Sequence, residues 1–122
     1  MCLLKKNIIM SKLDEKVILY KKFMDAKGLP SNIILLTAIT KGLGPSIYKK
    51  DSETVSGSDA NELSTVKNNF LIKKLGLLDT DELNTGIKEV MKRIGTTERK
   101  KYRAVVYYLL VERFNKASIY GL

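Results

Sequence analysis

Histidine and tryptophan are absent from the 122 residues, cysteine occurs once and proline twice. The lack of histidine removes the usual general base near neutral pH, the commonest metal ligand, and the Ser-His and Cys-His arrangements of nucleophilic catalysis. Any catalysis would have to rest on carboxylates, lysine or tyrosine. The lone Cys2 excludes an intrachain disulfide, a CxxC site and a thiolate metal cluster, and fits a reducing compartment, so a cytoplasmic location is expected. No apolar run approaches the roughly 18 residues that cross a bilayer, and MCLLKKNIIM lacks the uninterrupted apolar core and cleavage site of a secretory signal. No membrane partner is expected. Met10 opens MSKLDEK, a better chain start, so residues 1–9 are expected to be a disordered or non-native extension, with a single helical domain over 10–122.

What is present is a globular composition: 44% hydrophobic and 29% charged residues, with 22 Lys and Arg against 13 Asp and Glu for a net charge of +9. That charge favours solubility and attracts polyanions in general, without bearing on the fold. It is unevenly spread. Residues 59–94 hold six cations and six anions, whereas residues 95–122 hold six and two, so any polyanion surface is expected on the last helix.

The periodicity is helical throughout. Ser11-x-x-Asp14 caps a stripe of Leu13, Val17, Tyr20 and Met24 that ends near Gly28. SNIILLTAITKG is apolar almost all round; Ser31 as cap and Gly42 as terminator favour a buried helix over a buried strand. Pro45 to Tyr48 reads as a short helical turn and residues 49–58 as polar and turn-rich. Ser58 or Asp59 caps a third long helix carrying Leu63, Val66 and Phe70 and stopped by Gly76. Asp79-x-x-Glu82 resembles a capping box ahead of Leu83, Ile87, Val90 and Ile94, closed by Gly95. Thr96 or Thr97 is then expected to cap a last helix whose apolar residues, Tyr102 to Leu110, together with Ile33 to Ile39, form the centre. The expected fold is all-α, a compact single-domain bundle of about five helices packed at steep angles.

Motifs with chemistry are few. KGLGPS lacks the Gly-Lys-Ser ending of a P-loop, and Pro45 removes an amide donor. Asp79 and Asp81 have calcium-loop spacing, but Leu83 and Asn84 occupy the next ligand and glycine positions. The acid pairs Asp14–Glu15 and Asp81–Glu82 sit in first turns, where they complement the helix dipole. No catalytic, cofactor or metal residue is assigned.

Arg99, Lys100, Lys101 and Arg103 are the one local conflict. Steps of about 100° would distribute them as a collar around the first turn of the last helix, where the dipole disfavours cations by about 0.3–1 kcal/mol each. Two readings follow. In one, the collar and the amides near Thr97 hold a phosphate or a nucleic-acid backbone. In the other, the cations are solvated or pair with acids such as Asp51, Glu53 or Asp59 from elsewhere in the chain.

Three stretches, GPSIY at 44–48, VKNNFLIKKLGL at 66–77 and KYRAVVYYLL at 101–110, resemble in order and spacing a small bacterial family of uncharacterised proteins, domain of unknown function (DUF) family 2853. The resemblance implies a compact all-helical domain, with helices paired like those of a calcium hand that has lost its metal. It supplies no activity, cofactor or catalytic residue. It also draws attention to Lys67, Asn68 and Asn69 as a polar contact surface, against solvent exposure or bonding to a neighbouring loop. Taken together, the expected function is a non-enzymatic binding or interaction module with an unidentified protein partner or a second copy of itself. The alternatives are backbone-directed nucleic-acid or phosphate binding through the collar, and a metal-free enzyme using Asp, Lys or Tyr in a cleft.

Overall fold

The computed structural model describes residues 11–122; the expectation for residues 1–9 lies outside the described residues. Helix α1 (Lys12–Ala26) starts in the expected capping box, with Asp14 N–H donating to Ser11 Oγ at 3.1 Å and Ser11 N–H to Asp14 Oδ2 at 3.3 Å. It stops where Gly28 takes φ +70°, a conformation that costs glycine little. Helix α2 (Ile33–Gly42) is capped by Asn32, whose Oδ1 accepts the amides of Ile34 and Leu35 at 2.9 and 3.3 Å. Ser31, the expected cap, instead donates to Asp25 at 2.7 Å. Gly44, at φ +63°, rather than Gly42 makes the left-handed turn into a 3-10 segment, Gly44–Tyr48.

A short α3 (Lys50–Glu53) interrupts the stretch read as turns. Its anchor is Glu53, whose carboxylate accepts both the Tyr20 hydroxyl and the Lys16 ammonium at 2.7 Å. Burial first, and then the adjacent Glu53 charge, raise the Tyr20 phenol well above its ordinary range, so it stays a donor. Asp59 caps α4 (Ala60–Thr65), which runs without a break into a π-helical stretch, Val66–Lys74, ended by Gly76 at φ +73°. An α-helix advancing about 100° per residue would point Val66 and Leu75 in opposite directions. Both are buried, as are Phe70 and Leu71, and the wider turns bring all four to the inner side.

Helix α5 (Asp81–Ile94) buries the expected stripe of Leu83, Ile87, Val90 and Ile94 and ends at Gly95 with φ +119°. The expected box at its start does not form. Thr80 occupies the cap position without a side-chain bond to the first turn, while Asp79 is drawn to Lys67 at 2.9 Å and Glu82 to Arg113 at 3.5 Å. Helix α6 (Arg103–Arg113) is buried at every position from Ala104 to Val111 and packs on α2, α5 and α1. A last 3-10 turn, Ala117–Tyr120, lies on α2. Each fully buried Leu or Val of α6 contributes about 1.5–3 kcal/mol of transfer free energy, and the Tyr108 hydroxyl ties the helix to α2 by accepting Asn32 N–H at 2.6 Å. The fold is all-α. Six α-helical segments are present among the described residues, and none is long and apolar enough to cross a membrane.

The largest departure from expectation is where α6 begins. Neither Thr96 nor Thr97 caps it: residues 95–98 form a turn, with Glu98 N–H donating to Gly95 O at 3.0 Å, and helix starts only at Arg103. The cause is tertiary. Lys101 O accepts Val55 N–H at 2.8 Å, and Tyr102 makes an antiparallel bridge with Thr54. These contacts hold residues 101–102 extended, so three of the four cations lie outside the helix, and the one left in its first turn, Arg103, is paired with Glu62.

Candidate functional site

The turn before α6 faces the segment from α3 to α4 across a cleft of about 680 Å³. One wall is Asp51 and the loop of Ser56, Gly57 and Ser58; the other is Thr96 to Arg99; Met91 of α5 contributes an apolar patch. Ser56, Ser58, Thr96 and Thr97 present exposed hydroxyls. The volume lies in the range of small-ligand sites.

Lys101 lines this cleft although it is only 5% exposed. Its ammonium donates to two backbone carbonyls, Thr96 O at 3.3 Å and Glu98 O in a shorter contact. Two of its three N–H donors are therefore used, and its partners among the described residues are carbonyls rather than carboxylates. Gly57 covers the end of the side chain; a Cβ there would stand 3.1 Å from Lys101 Cε. Burying an ammonium without an opposite charge costs several kcal/mol, which two carbonyl dipoles offset only in part.

The carboxylates around the cleft are mostly committed. Glu98 binds Lys27 at 2.7 Å and accepts Lys100 N–H at 3.1 Å. Those bonds, the Lys27 one first, hold its carboxyl below the ordinary carboxylate range. Glu62 pairs with Arg103 at 2.5 Å. Asp59 caps α4 through Oδ1. Asp51 is exposed.

Arg103 points inward. Its guanidinium reaches Ser52 O at 2.8 Å, Glu62 at 2.5 Å and the Tyr107 hydroxyl at 3.3 Å. The Tyr107 ring stacks on Phe70 at 3.8 Å between centroids, so one side chain links α6 to α3, α4 and the π-helical stretch. Arg103 thus pairs with an acid from elsewhere in the chain, but that acid is Glu62 and not Asp51, Glu53 or Asp59, the examples expected.

Of the residues singled out from sequence, Thr97, Arg99 and Lys101 meet at the cleft. Lys100 is exposed beside it, and Arg103 forms its support. Lys67, Asn68 and Asn69 are not in its lining. Lys67 is paired with Asp79, Asn68 is exposed and contacts Ser64 on its own helix at 3.4 Å, and Asn69 is exposed. Neither asparagine bonds a neighbouring loop among the described residues. The opposite wall, Asp51 and Ser56 to Asp59, was missed as a site. Its run of small polar residues is the only local signal, and such runs ordinarily mean turns. Among the described residues no group of three or more His, Cys, Asp or Glu side chains gathers where a metal ion would sit.

No curated protein matches the chain significantly. The model of the family described as "Protein of unknown function (DUF2853)" matches residues 20–118. The three stretches that suggested this likeness form the 3-10 turn, the π-helical stretch and the α6 core, and with most of its length matched the chain belongs to that family.

Proposed function

We propose that the domain is a non-enzymatic binding module whose ligand site is the cleft between residues 51–62 and the turn at 96–101. The observation that carries this reading is the cleft itself, a concavity of about 680 Å³ bordered by exposed hydroxyls and a buried ammonium with a donor to spare. Catalysis receives less support, because Glu62 and Glu98 are tied into ion pairs and Asp59 into a helix cap. Backbone-directed nucleic-acid binding would use Arg99 and Lys100; Arg103 is occupied inside the fold, Lys101 is buried with a single donor left, and several carboxylates border the cleft. A cytoplasmic setting suits a chain whose one cysteine is Cys2.

The test is a titration of the ¹⁵N-labelled protein with a library of small polar fragments, followed by amide chemical shifts. Binders should move amides at 54–59 and 96–101 together. Binders that move only other regions, or no binder at all, would overturn the reading. A parallel titration with a duplex oligonucleotide at low salt should leave the same amides unshifted, whereas salt-sensitive shifts at Arg99 and Lys100 would favour the nucleic-acid alternative.

A further inference from the structure

We infer that the cleft takes a zwitterionic ligand of the amino-acid or short-peptide kind, its carboxylate seated on the Lys101 ammonium and its own ammonium turned toward Asp51. The inference rests on the proposed binding cleft and goes on to name the chemistry of its occupant.

The argument begins with which charges are already matched. Glu98 is neutralised by Lys27 and Glu62 by Arg103, while Asp59 is spent on the first amides of α4. Among the described residues, the charges without an ionic partner at the cleft are Lys101 and Arg99 on one wall and Asp51 and Asp59 on the other, and of the two acids Asp59 already accepts two amides through Oδ1. Burial ranks them. Asp51 and Arg99 are exposed and well solvated, so leaving them unpaired costs little. Lys101 is buried, has shed most of its water, and retains one donor after serving two carbonyls. A ligand anion therefore gains most at Lys101.

The surroundings select the kind of anion. The unpaired carboxylates of Asp51 and Asp59 border the same space, and their repulsion penalises a phosphate dianion more than a singly charged carboxylate. A ligand that also carries a cation relieves that repulsion and meets Asp51. The hydroxyls of Ser56, Ser58 and Thr97 offer donors and acceptors for the amide groups of a peptide. Gly57 packs its own backbone against the Lys101 stem, since a Cβ there would press on Cε, and so keeps the ammonium shielded on that side.

The experiment uses trialanine, its C-terminal amide and its N-acetylated form as probes in the amide-shift titration. Trialanine should shift Gly57, Thr97 and Lys101 saturably. Removing the C-terminal charge, or the substitution Lys101→Met, should weaken binding at least tenfold; N-acetylation or Asp51→Asn should weaken it severalfold. Asp51 is exposed, so D51N is the arm that does not depend on tolerance of a buried substitution, and a thermal melt confirms that K101M is folded. Equal binding of trialanine and its amide would overturn the assignment, as would full affinity in K101M. If trialanine leaves the cleft amides in place while library fragments move them, this inference falls and the binding cleft stands; if neither moves them, both fall.

Discussion

Arg103→Ala should be among the more destabilising substitutions of a charged residue in this chain. The side chain is 12% exposed and its partner Glu62 28% exposed, so the pair lies between two regimes. Exposed ion pairs contribute about 0–1 kcal/mol, and removing one partner of a buried pair costs about 3–5 kcal/mol. Arg103 also satisfies the Ser52 carbonyl and the Tyr107 hydroxyl, and a well-formed bond to a charged group has a net worth of about 1.5–3 kcal/mol. The intermediate burial places the net loss at about 2–4 kcal/mol. Urea unfolding followed by far-UV circular dichroism measures it, with an unchanged m-value required for the comparison. Arg103→Lys keeps the charge but loses the planar fork, and should recover only part of the loss. A double-mutant cycle with Glu62→Ala should give a coupling of about 1–2 kcal/mol. A loss under about 0.5 kcal/mol for R103A, or a coupling indistinguishable from zero, would refute the account and return Arg103 to the solvated collar.

Three further outcomes are expected. Leu109→Ala removes a fully buried side chain from the centre of α6 and should cost about 2–4 kcal/mol in the same assay; a shift under about 1 kcal/mol would place Leu109 at the surface. Gly86→Ala reverses the usual sign for an interior helical glycine: the added Cβ would lie 2.5 and 2.7 Å from Phe114 Cζ and Cε2. Overpacking of about 1–3 kcal/mol then exceeds the roughly 1 kcal/mol of helix propensity gained, and a higher melting temperature for G86A would show that Phe114 swings clear. Glu98 has a folded pKa below its unfolded one, so its contribution is complete above the ordinary carboxylate range and is lost as pH falls through the lowered value. Glu98→Gln should therefore lower the melting temperature near neutrality and flatten its decline in acid. Asp25, similarly held low by Ser31 and Lys21, keeps some of the slope, and an acid limb unchanged in the variant would contradict the Lys27–Glu98 contact.

The candidate site was half legible. Thr97, Arg99 and Lys101 drew attention because they break local rules for a helix start, and such breaks mark tertiary or functional constraint. The repair lay elsewhere: the Val55 amide and the Thr54 bridge hold this stretch extended, which turns the supposed collar into one wall of a cleft. The facing wall gave no comparable sign, because serine, glycine and aspartate at 56–59 satisfy every rule for an ordinary turn. The π-helical stretch was equally hidden. Its apolar residues fit an α-helical stripe as far as Phe70, and the wider turn shows only in the structure, in the burial of Leu71 and Leu75 beside Val66 and in Leu75 N–H reaching Phe70 O at 2.9 Å.

By itself, the sequence determined the helical class, the capping box at Ser11, the stops at Gly28, Gly76 and Gly95, and the interior character of Tyr102 to Leu110. Periodicity and capping are interactions among residues within about four positions of one another, so a linear reading captures them. The tertiary structure decided where α6 begins, that Lys101 is buried on carbonyls, and that Arg103 joins Glu62 and Ser52, partners 41 and 51 positions away. Those outcomes depend on which distant acids and carbonyls the packed core brings within hydrogen-bond reach.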